Sequence, residues 1–361
     1  MSEQTTEQHN QAEMLTVHYE LGSHWIVTAN HGYIPYAQEE LRRRYSQLKS
    51  QIFVPGEVAL MELPVEEHEL WRHQQDQPAM FIRDMFPVSA VVPVAELHMV
   101  EQAVQLLEQL NNRYENRLSA GTKVAVHFRK SQSKQEDAVD IRANLDEALK
   151  QLGLQKTVQQ PEWIWSVFEH QDYVYTGIAL LSNQGSDWPG GAIRFQREEG
   201  QISRAKFKLL EAEQVFGLNF ASYHRALDIG AAPGGWTSLL LERGVQVTAV
   251  DPAKMHESLV DHPSLEIHQR NAGEVAFEPH EFDLLVCDMS WSPKHTTQLV
   301  IQLLEAVKPG GTIIVTVKLM HKKPLQTIRD CMEMFEQHLH ILRAKQLFHN
   351  RDEITLYMMK Y

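Results

Sequence analysis

Four charged residues in the second half of the chain stand where an active site at the edge of a β-sheet would use them: Lys208, Asp288, Lys318 and Glu353. Lys208 lies in a predicted helix, Asp288 and Lys318 stand at the ends of apolar strands, and Glu353 begins the last strand. The carboxyl ends of parallel strands border the crevice in which ligands bind. Any one of these residues could instead be a solvated loop residue. Four such residues in step with one another are harder to explain in that way, and together they favour an active site.

The run Asp228–Trp236 (DIGAAPGGW) predicts a ligand site beside them. An apolar strand ends near Asp228, closely spaced glycines turn the backbone, and a helix starts near Trp236. The glycine spacing is not G-x-G-x-x-G, and no G-K-[ST] follows, so dinucleotides and nucleoside triphosphates are disfavoured. A nucleoside ligand without phosphate groups fits better, and S-adenosylmethionine (SAM) is such a ligand. The predicted cofactor contacts in this run are Asp228, Gly230, Ala232, Pro233, Gly234, Gly235 and Trp236.

Three further polar residues complete the predicted cofactor site. Asp251 closes the next strand about twenty residues after the turn, where an acidic side chain can accept hydrogen bonds from ribose hydroxyl groups. Pro252 follows it, so a turn or helix N-cap is the alternative role for Asp251. Asn271 follows a third strand candidate and could bond to an adenine edge, and Asp288 faces the same crevice.

The elements that must position these residues alternate between strand and helix from residue 198 onward. Short apolar strands that alternate with helices predict an α/β fold with a doubly wound parallel sheet. The predicted strands are 225–229, 245–250, 282–287, 311–318 and 353–360.

The chain divides into four predicted segments. Residues 1–13 are polar and read as a disordered tail. Residues 14–93 and 94–190 each mix strands and helices and predict two α+β units. A linker rich in Gly, Pro and Ser leads to the 198–361 domain that carries the motifs.

Composition narrows the class of protein. The formal net charge is −13, which disfavours a nucleic-acid-binding surface that is basic throughout but permits a local basic stripe. The two cysteines and nineteen histidines lack metal-ligand spacing, so no metal site is predicted. The N-terminus lacks a secretory signal pattern and no run is long enough to cross a membrane. These features predict a cytoplasmic protein without a membrane partner.

Five segments together resemble the FtsJ-like RNA ribose 2′-O-methyltransferases. They are Ser203–Glu211, Asp228–Trp236, Cys287-Asp288-Met289, Val317-Lys318-Leu319 and Arg351-Asp352-Glu353. Within that family the chain most resembles the bacterial 23S rRNA cytidine 2′-O-methyltransferases that carry a THUMP module. The resemblance implies a Rossmann-like SAM-methyltransferase sheet whose last strand is antiparallel. It also implies that residues 14–93 are a ferredoxin-like unit and that 94–190 are a THUMP-like RNA-binding unit.

The resemblance assigns Lys208, Asp288, Lys318 and Glu353 as a catalytic tetrad. Lys318 is the implied general base, which would need its pKa lowered by burial and by the charge of Lys208. Lys318 could instead steer the hydroxyl group electrostatically. Two positions differ from the family pattern: Asn271 stands where an aspartate is usual, and Trp291 alters the substrate rim.

An acidic protein can hold RNA through local basic groups whose phosphate contacts weaken with salt. The candidates are Arg129, Lys130, Lys134, Lys322 and Lys323. The cluster Arg42–Arg44 reads instead as a solvated helix face.

These features predict a SAM-dependent methyltransferase that acts on ribosomal RNA. Three alternatives stay open: a catalytically silent RNA- or ribosome-binding protein on the same fold, a tRNA methyltransferase, and a small-molecule or protein methyltransferase.

Overall fold

The computed structural model describes residues 17–20, 22–131, 140–197, 199–320 and 323–361. The predicted tail 1–13 lies outside these residues. The chain forms two compact units. The first comprises residues up to Thr28 together with Arg42–His73 and Asp84–Gly191, and the second comprises Ala29–Leu41, Gln74–Arg83 and Ala192–Tyr361.

The described strands and helices follow the chain in this order. The strands are β1 (Val17–His18), β2 (His24–Thr28), β3 (Lys49–Val54), β4 (Val58–Glu62), β5 (Asp84–Pro87), β6 (Ala90–Pro93), β7 (Lys123–Lys130), β8 (Gln155–Lys156), β9 (Trp163–His170), β10 (Tyr173–Leu180), β11 (Arg225–Ile229), β12 (Gln246–Val250), β13 (Leu265–His268), β14 (Phe282–Cys287), β15 (Val307–Lys318), β16 (Leu339–Lys345) and β17 (Glu353–Lys360). The α-helices are α1 (Ile34–Arg44), α2 (Glu67–Asp76), α3 (Val100–Arg113), α4 (Ile141–Gln151), α5 (Lys206–Val215), α6 (Gly235–Glu242), α7 (Pro293–Leu303) and α8 (Pro324–Phe335).

A four-stranded antiparallel sheet in the first unit has the strand order β3-β4-β2-β5. Along the chain the elements run β2-α1-β3-β4-α2-β5. This is the β-α-β-β-α-β arrangement of ferredoxin-like folds. The assignments of 14–93 and 94–190 to named domains stay predictions.

The second sheet of the first unit has the order β1-β6-β10-β9-β7-β8. Strand β9 is buried on both faces, because successive side chains of a strand point to opposite sides. Trp165 packs in the core formed with leucines of α3 and α4, whereas Phe168 packs in a separate cluster with Ile26 and Phe53. Coverage of both faces explains why seven of the eight residues of β9 are buried.

The second unit is built on a seven-stranded sheet, in the order β13-β12-β11-β14-β15-β17-β16. The first five strands are parallel, and β17 lies antiparallel to both β15 and β16. The predicted mixed α/β sheet with an antiparallel last strand is therefore confirmed. The predicted strands 225–229, 282–287 and 353–360 have the observed bounds, and the predicted strand 311–318 is the C-terminal part of β15.

Two short segments from the N-terminal part of the chain also belong to the second unit. Asn30 donates hydrogen bonds to the carbonyl groups of Leu347 and Asn350 at 2.7 and 3.0 Å. The Glu40 carboxylate accepts the N–H groups of Met80 and Phe81, both at 2.9 Å. Residues 29–41 are thus bonded both to the loop between β16 and β17 and to residues 74–83, although the sequence placed both segments within residues 14–93.

Candidate active site

The glycine turn connects β11 to α6 at the carboxyl edge of the sheet. Gly230 has a φ of 74°, and a Cβ atom there would lie 2.6 Å from Cγ of Met289. Its N–H donates to the carbonyl of Val250 at the end of β12, at 3.0 Å. Gly234, with a φ of 116°, is the N-cap of α6. The turn therefore needs glycine both for its backbone conformation and for its contact with Met289.

Asp228 is the buried anchor of this turn. Its side chain is 1% exposed and accepts a hydrogen bond from the Thr237 hydroxyl group of α6 at 2.6 Å. Burial raises the pKa of Asp228 to about 7, and the nearby carboxylates of Asp288 and Asp251 act in the same direction. In this structure Asp228 joins β11 to α6, and its place among the predicted cofactor contacts stays a prediction.

Asp251 links the end of β12 to the glycine turn. Its carboxylate accepts the Ala232 N–H at 3.1 Å and the Ala253 N–H at 2.7 Å. The turn role considered from the sequence is therefore present. Each carboxylate oxygen has a second lone pair, so acceptance from ribose hydroxyl groups remains compatible with these bonds.

Two other predicted cofactor residues differ in exposure. Trp236 is 3% exposed, and its indole N–H donates to the Ala205 carbonyl at 2.9 Å. This bond ties α6 to the start of α5, which carries Lys208. Asn271 is exposed, and its amide donates to Glu274 at 2.9 Å. Ala232 and Pro233 lie within the turn itself, and Gly235 begins α6.

Three of the four predicted catalytic residues form one ion-paired cluster. Lys208 Nζ lies 3.0 Å from Asp288 Oδ1 and 2.6 Å from Glu353 Oε2. The three side chains are 15–21% exposed. Thr316 of β15 donates a hydrogen bond to Asp288 Oδ1 at 2.6 Å. The cluster thus joins one helix to three adjacent strands of the sheet.

Lys208 is held in its charged form. Burial lowers the pKa of Lys208, but the adjacent carboxylates of Asp288 and Glu353 outweigh that effect and raise it. Lys208 is therefore a fixed cation whose charge is compensated by two anions.

Lys318 ends β15 and lies opposite Glu353 in the β15–β17 pairing. Its side chain is exposed, so the expected burial of this lysine is absent from the structure. The charge of Lys208, which was expected to act on Lys318, is compensated by its two carboxylate partners. Lys318 therefore faces solvent at the sheet edge.

Thr316 and Glu211 are site residues that sequence reasoning missed. Thr316 had a signal, because it lies two residues before Lys318 in a largely apolar strand and so points to the same face. Glu211 is 2% exposed and accepts two backbone N–H groups of residues 348 and 349. No local pattern distinguishes it from an ordinary solvated glutamate of a helix.

The predicted RNA contacts in the first unit are engaged within the protein. Arg129 donates to the Thr28 hydroxyl group at 2.8 Å and lies over the Phe168 ring. Burial lowers the pKa of Arg129, while Asp84 and Glu57 oppose that effect. Lys130 lies 3.4 Å from Glu169. Among the other candidates, Lys323 is exposed just before α8, and Lys134 and Lys322 lie outside the described residues.

Neither a metal-binding group nor a membrane span is found in the part of the chain that the structure describes. Within it, no group of three or more His, Cys, Asp or Glu side chains is arranged to hold a metal ion. No described helix is long and apolar enough to cross a membrane.

The fold and site define a Rossmann-like α/β domain with a glycine turn and a charged cluster at the same sheet edge. Residues 201–346 match the sequence profile of the FtsJ-like methyltransferases, so the chain contains an FtsJ-like methyltransferase domain.

Similar proteins match about half of the chain. The ribosomal RNA large subunit methyltransferase M of Laribacter hongkongensis is 35% identical over 188 residues, which cover 49% of this chain and 53% of that protein. The protein of the same name from Halorhodospira halophila is 38% identical over 174 residues, or 47% and 50% of the two chains. The match spans about half the length of these relatives. Among solved structures, TrmN from Thermus thermophilus aligns over 94% of this chain and 100% of its own, with 13% identity and a TM-score of 0.39.

Proposed function

We propose that this protein transfers a methyl group from SAM to a ribose 2′-hydroxyl group of RNA, and that the RNA is that of the large ribosomal subunit. The observation that carries the proposal is the cluster of Lys208, Asp288 and Glu353 beside exposed Lys318. The FtsJ-like profile supports the reaction class, and the printed name of the relatives supports ribosomal RNA. The sequence resemblance further implies a cytidine of 23S rRNA as the modified nucleotide.

The residues at the glycine turn fit SAM. Gly230 leaves no side chain between the turn and Met289, and Asp251 keeps acceptor capacity for a diol. When bound, SAM supplies an electrophilic methyl group. The residues that would hold it are those of the turn, with Asp251 and Asn271.

The acceptor chemistry follows from the two lysines. A ribose 2′-hydroxyl group is a weak nucleophile, so its proton must leave as the new bond forms. Lys208 is charged and fixed by two carboxylates, so it can orient a hydroxyl group but cannot accept its proton. Lys318, exposed at the end of β15, can accept the proton on Nζ when its amine is neutral. Burial of Lys318 under bound RNA would supply the desolvation that the free protein lacks.

The proposal extends to the RNA and to the place of action. We assign the 94–190 segment as a THUMP-like RNA-binding unit, with exposed Lys323 as a further phosphate contact near the site. A protein that modifies ribosomal RNA acts in the cytoplasm of a bacterium, where ribosomes are assembled. The silent RNA-binding alternative is disfavoured, because all four catalytic positions keep their charged residues and three are assembled.

The experiment uses the purified full chain, SAM with a labelled methyl group, and large-subunit RNA from cells that lack the gene. We expect label at one ribose 2′-oxygen, and loss of transfer in Lys318→Ala by about a hundredfold or more. Lys308→Ala, at the opposite end of β15, is the matched control and should retain activity. Transfer to tRNA or to a small molecule instead, or full activity in Lys318→Ala, would overturn the proposal.

A further inference from the structure

Helix α5 contributes a second charged residue to the neighbourhood of the catalytic cluster. Glu211 follows Lys208 by one helical turn, so the two side chains emerge from neighbouring positions on the helix. One carboxylate oxygen of Glu211 accepts the Phe348 N–H at 2.7 Å, and the other accepts the His349 N–H at 2.8 Å. The side chain thus clamps two consecutive peptide groups of the β16–β17 loop, residues 346–352.

The burial of Glu211 is costly, which indicates that the clamp matters to the protein. Glu211 is 2% exposed, and a buried carboxylate is stable only when it is paired or well hydrogen-bonded. Burial raises the pKa of Glu211 to about 7, while the two backbone N–H groups and the charges of Arg83 and Lys345 lower it. An apolar residue at this position would leave the N–H groups of residues 348 and 349 without this acceptor.

The loop that Glu211 clamps ends at a catalytic residue. The Asp352 carbonyl accepts the Leu319 N–H at 2.7 Å, immediately after Lys318. Within the loop, the Asn350 side-chain oxygen accepts the Leu347 N–H at 2.9 Å and the Thr355 hydroxyl group at 2.9 Å. Glu353 follows this fixed segment directly, so few backbone torsions separate the clamp from its carboxylate.

Helix α5 therefore contacts the same stretch of chain twice. Glu211 holds it through residues 348 and 349, and Lys208 holds it through Glu353 at 2.6 Å. We infer that Glu211 is a positioning residue, which sets Glu353 against Lys208 by fixing the β16–β17 loop to helix α5. The inference rests on the proposed methyl transfer for its effect on rate, and on the loop geometry for its effect on the cluster.

The test compares Glu211→Gln with Glu213→Gln in the full-length protein. Glu213 lies on the same helix, is also partly buried, and accepts a backbone N–H from Phe220 while pairing with Arg243 at 2.7 Å. Its loss perturbs α5 without touching the β16–β17 loop. We expect kcat per folded molecule to fall about ten- to hundredfold in Glu211→Gln, with unchanged affinity for SAM, and to change less than about twofold in Glu213→Gln.

A readout independent of methyl transfer separates this inference from the proposed function. The ¹⁵Nζ NMR signal of Lys208, assigned with Lys208→Arg, should shift in Glu211→Gln and stay in place in Glu213→Gln. If Glu211→Gln does not fold, Glu211→Asp serves, since its shorter carboxylate cannot reach both N–H groups. An unmoved Lys208 signal, or equal kcat in the Glu211 and Glu213 variants, overturns the inference. An inactive wild-type protein with the expected NMR shift counts only against the proposed function.

Discussion

Lys318 and Glu353 are directly opposed across the antiparallel β15–β17 pairing, yet the Glu353 carboxylate lies 2.6 Å from Lys208 on helix α5. The β15–β17 pairing alone would suggest that Glu353 pairs with Lys318. Its carboxylate instead forms an ion pair with Lys208. The two lysines consequently differ: Lys208 is a buried, compensated cation, and Lys318 is an exposed amine at the sheet edge. Under the proposed methyl transfer, Lys318 is therefore the lysine that would exchange a proton with the substrate.

Lys208→Met should destabilise the protein, because it leaves Asp288 and Glu353 close together and largely buried without their cation. We expect a loss of about 2–3 kcal/mol in the free energy of unfolding at neutral pH. The loss should shrink as the pH falls and the two carboxylates take up protons. Urea unfolding at several pH values measures both effects.

The control for this variant is Lys206→Met on the same helix. Lys206 pairs with Glu242 at 2.8 Å, but the Glu242 side chain is 46% exposed and can be rehydrated when its partner is lost. The loss of stability should therefore be smaller than in Lys208→Met. Equal losses in the two variants would show that the Lys208 cluster is not specially dependent on its cation.

Gly230→Ala should destabilise the glycine turn for two separable reasons. The φ of 74° strains any residue with a Cβ atom, and that atom would lie 2.6 Å from Cγ of Met289. Gly244→Ala isolates the first effect, because Gly244 has a φ of 82° and a Cβ atom there would meet nothing within 4 Å. We expect about 1 kcal/mol in Gly244→Ala and about 1–3 kcal/mol more in Gly230→Ala.

The crowding at Gly230 also predicts a rescue. Met289→Ala removes the atom that the new methyl group would meet, so the double variant should recover the part of the loss that exceeds Gly244→Ala. Thermal unfolding of the four variants measures this coupling. No recovery would mean that backbone strain alone accounts for the loss.

The sequence predicted the strands at the edge of the sheet well, because each strand is indicated by its own run of neighbouring residues. Short apolar strands such as 225–229 and 282–287 are recognisable from their own residues. Because parallel strands end at one edge of a sheet, the charged residues that follow them are expected to lie there. Of the three residues in the cluster, only Asp288 follows a parallel strand, and Lys208 of helix α5 and Glu353 of antiparallel β17 join it there. Strand β16 was missed because it lies at the edge of the sheet, is half-exposed and carries His340 and Arg343 among its apolar residues.

Long-range polar contacts have no such local signal. Asn30 and Glu211 are ordinary in their sequence context, and only the fold brings them to the β16–β17 loop. The exposure of Lys318 was also hidden, because an apolar strand predicts burial of its own residues but not of the one that ends it. The sequence therefore predicted the charged residues of the site better than the residues that hold the neighbouring loop in place.

Asn30→Ala tests whether the N-terminal segment 29–41 supports the second unit. Asn30 is 7% exposed and donates to the carbonyl groups of Leu347 and Asn350, so its loss leaves two acceptors without that donor. We expect a cost of about 2–3 kcal/mol by urea unfolding. Asn271→Ala is the control, because Asn271 is exposed and its amide bonds within its own turn, to Glu274. A shift in Asn30→Ala as small as in the control would contradict a supporting role.

Asp228→Asn should change how stability depends on pH in the absence of SAM. The pKa of Asp228 is about 7 in the folded protein, against an ordinary value of 3.8. Between these values the folded state binds more protons than the unfolded state, so stability falls as the pH rises through this window. The cost at alkaline pH is on the order of 2–4 kcal/mol relative to acid.

An asparagine at position 228 can still accept the Thr237 hydrogen bond but does not ionise. The variant should therefore lose less stability than the wild type on going from about pH 5 to about pH 8. Part of the slope should persist, because Glu211 has a folded pKa of about 7 as well and contributes in the same direction. Urea unfolding at the two pH values measures the difference. Parallel losses in wild type and Asp228→Asn would mean that Asp228 is ionised in the folded protein throughout this range, despite its burial.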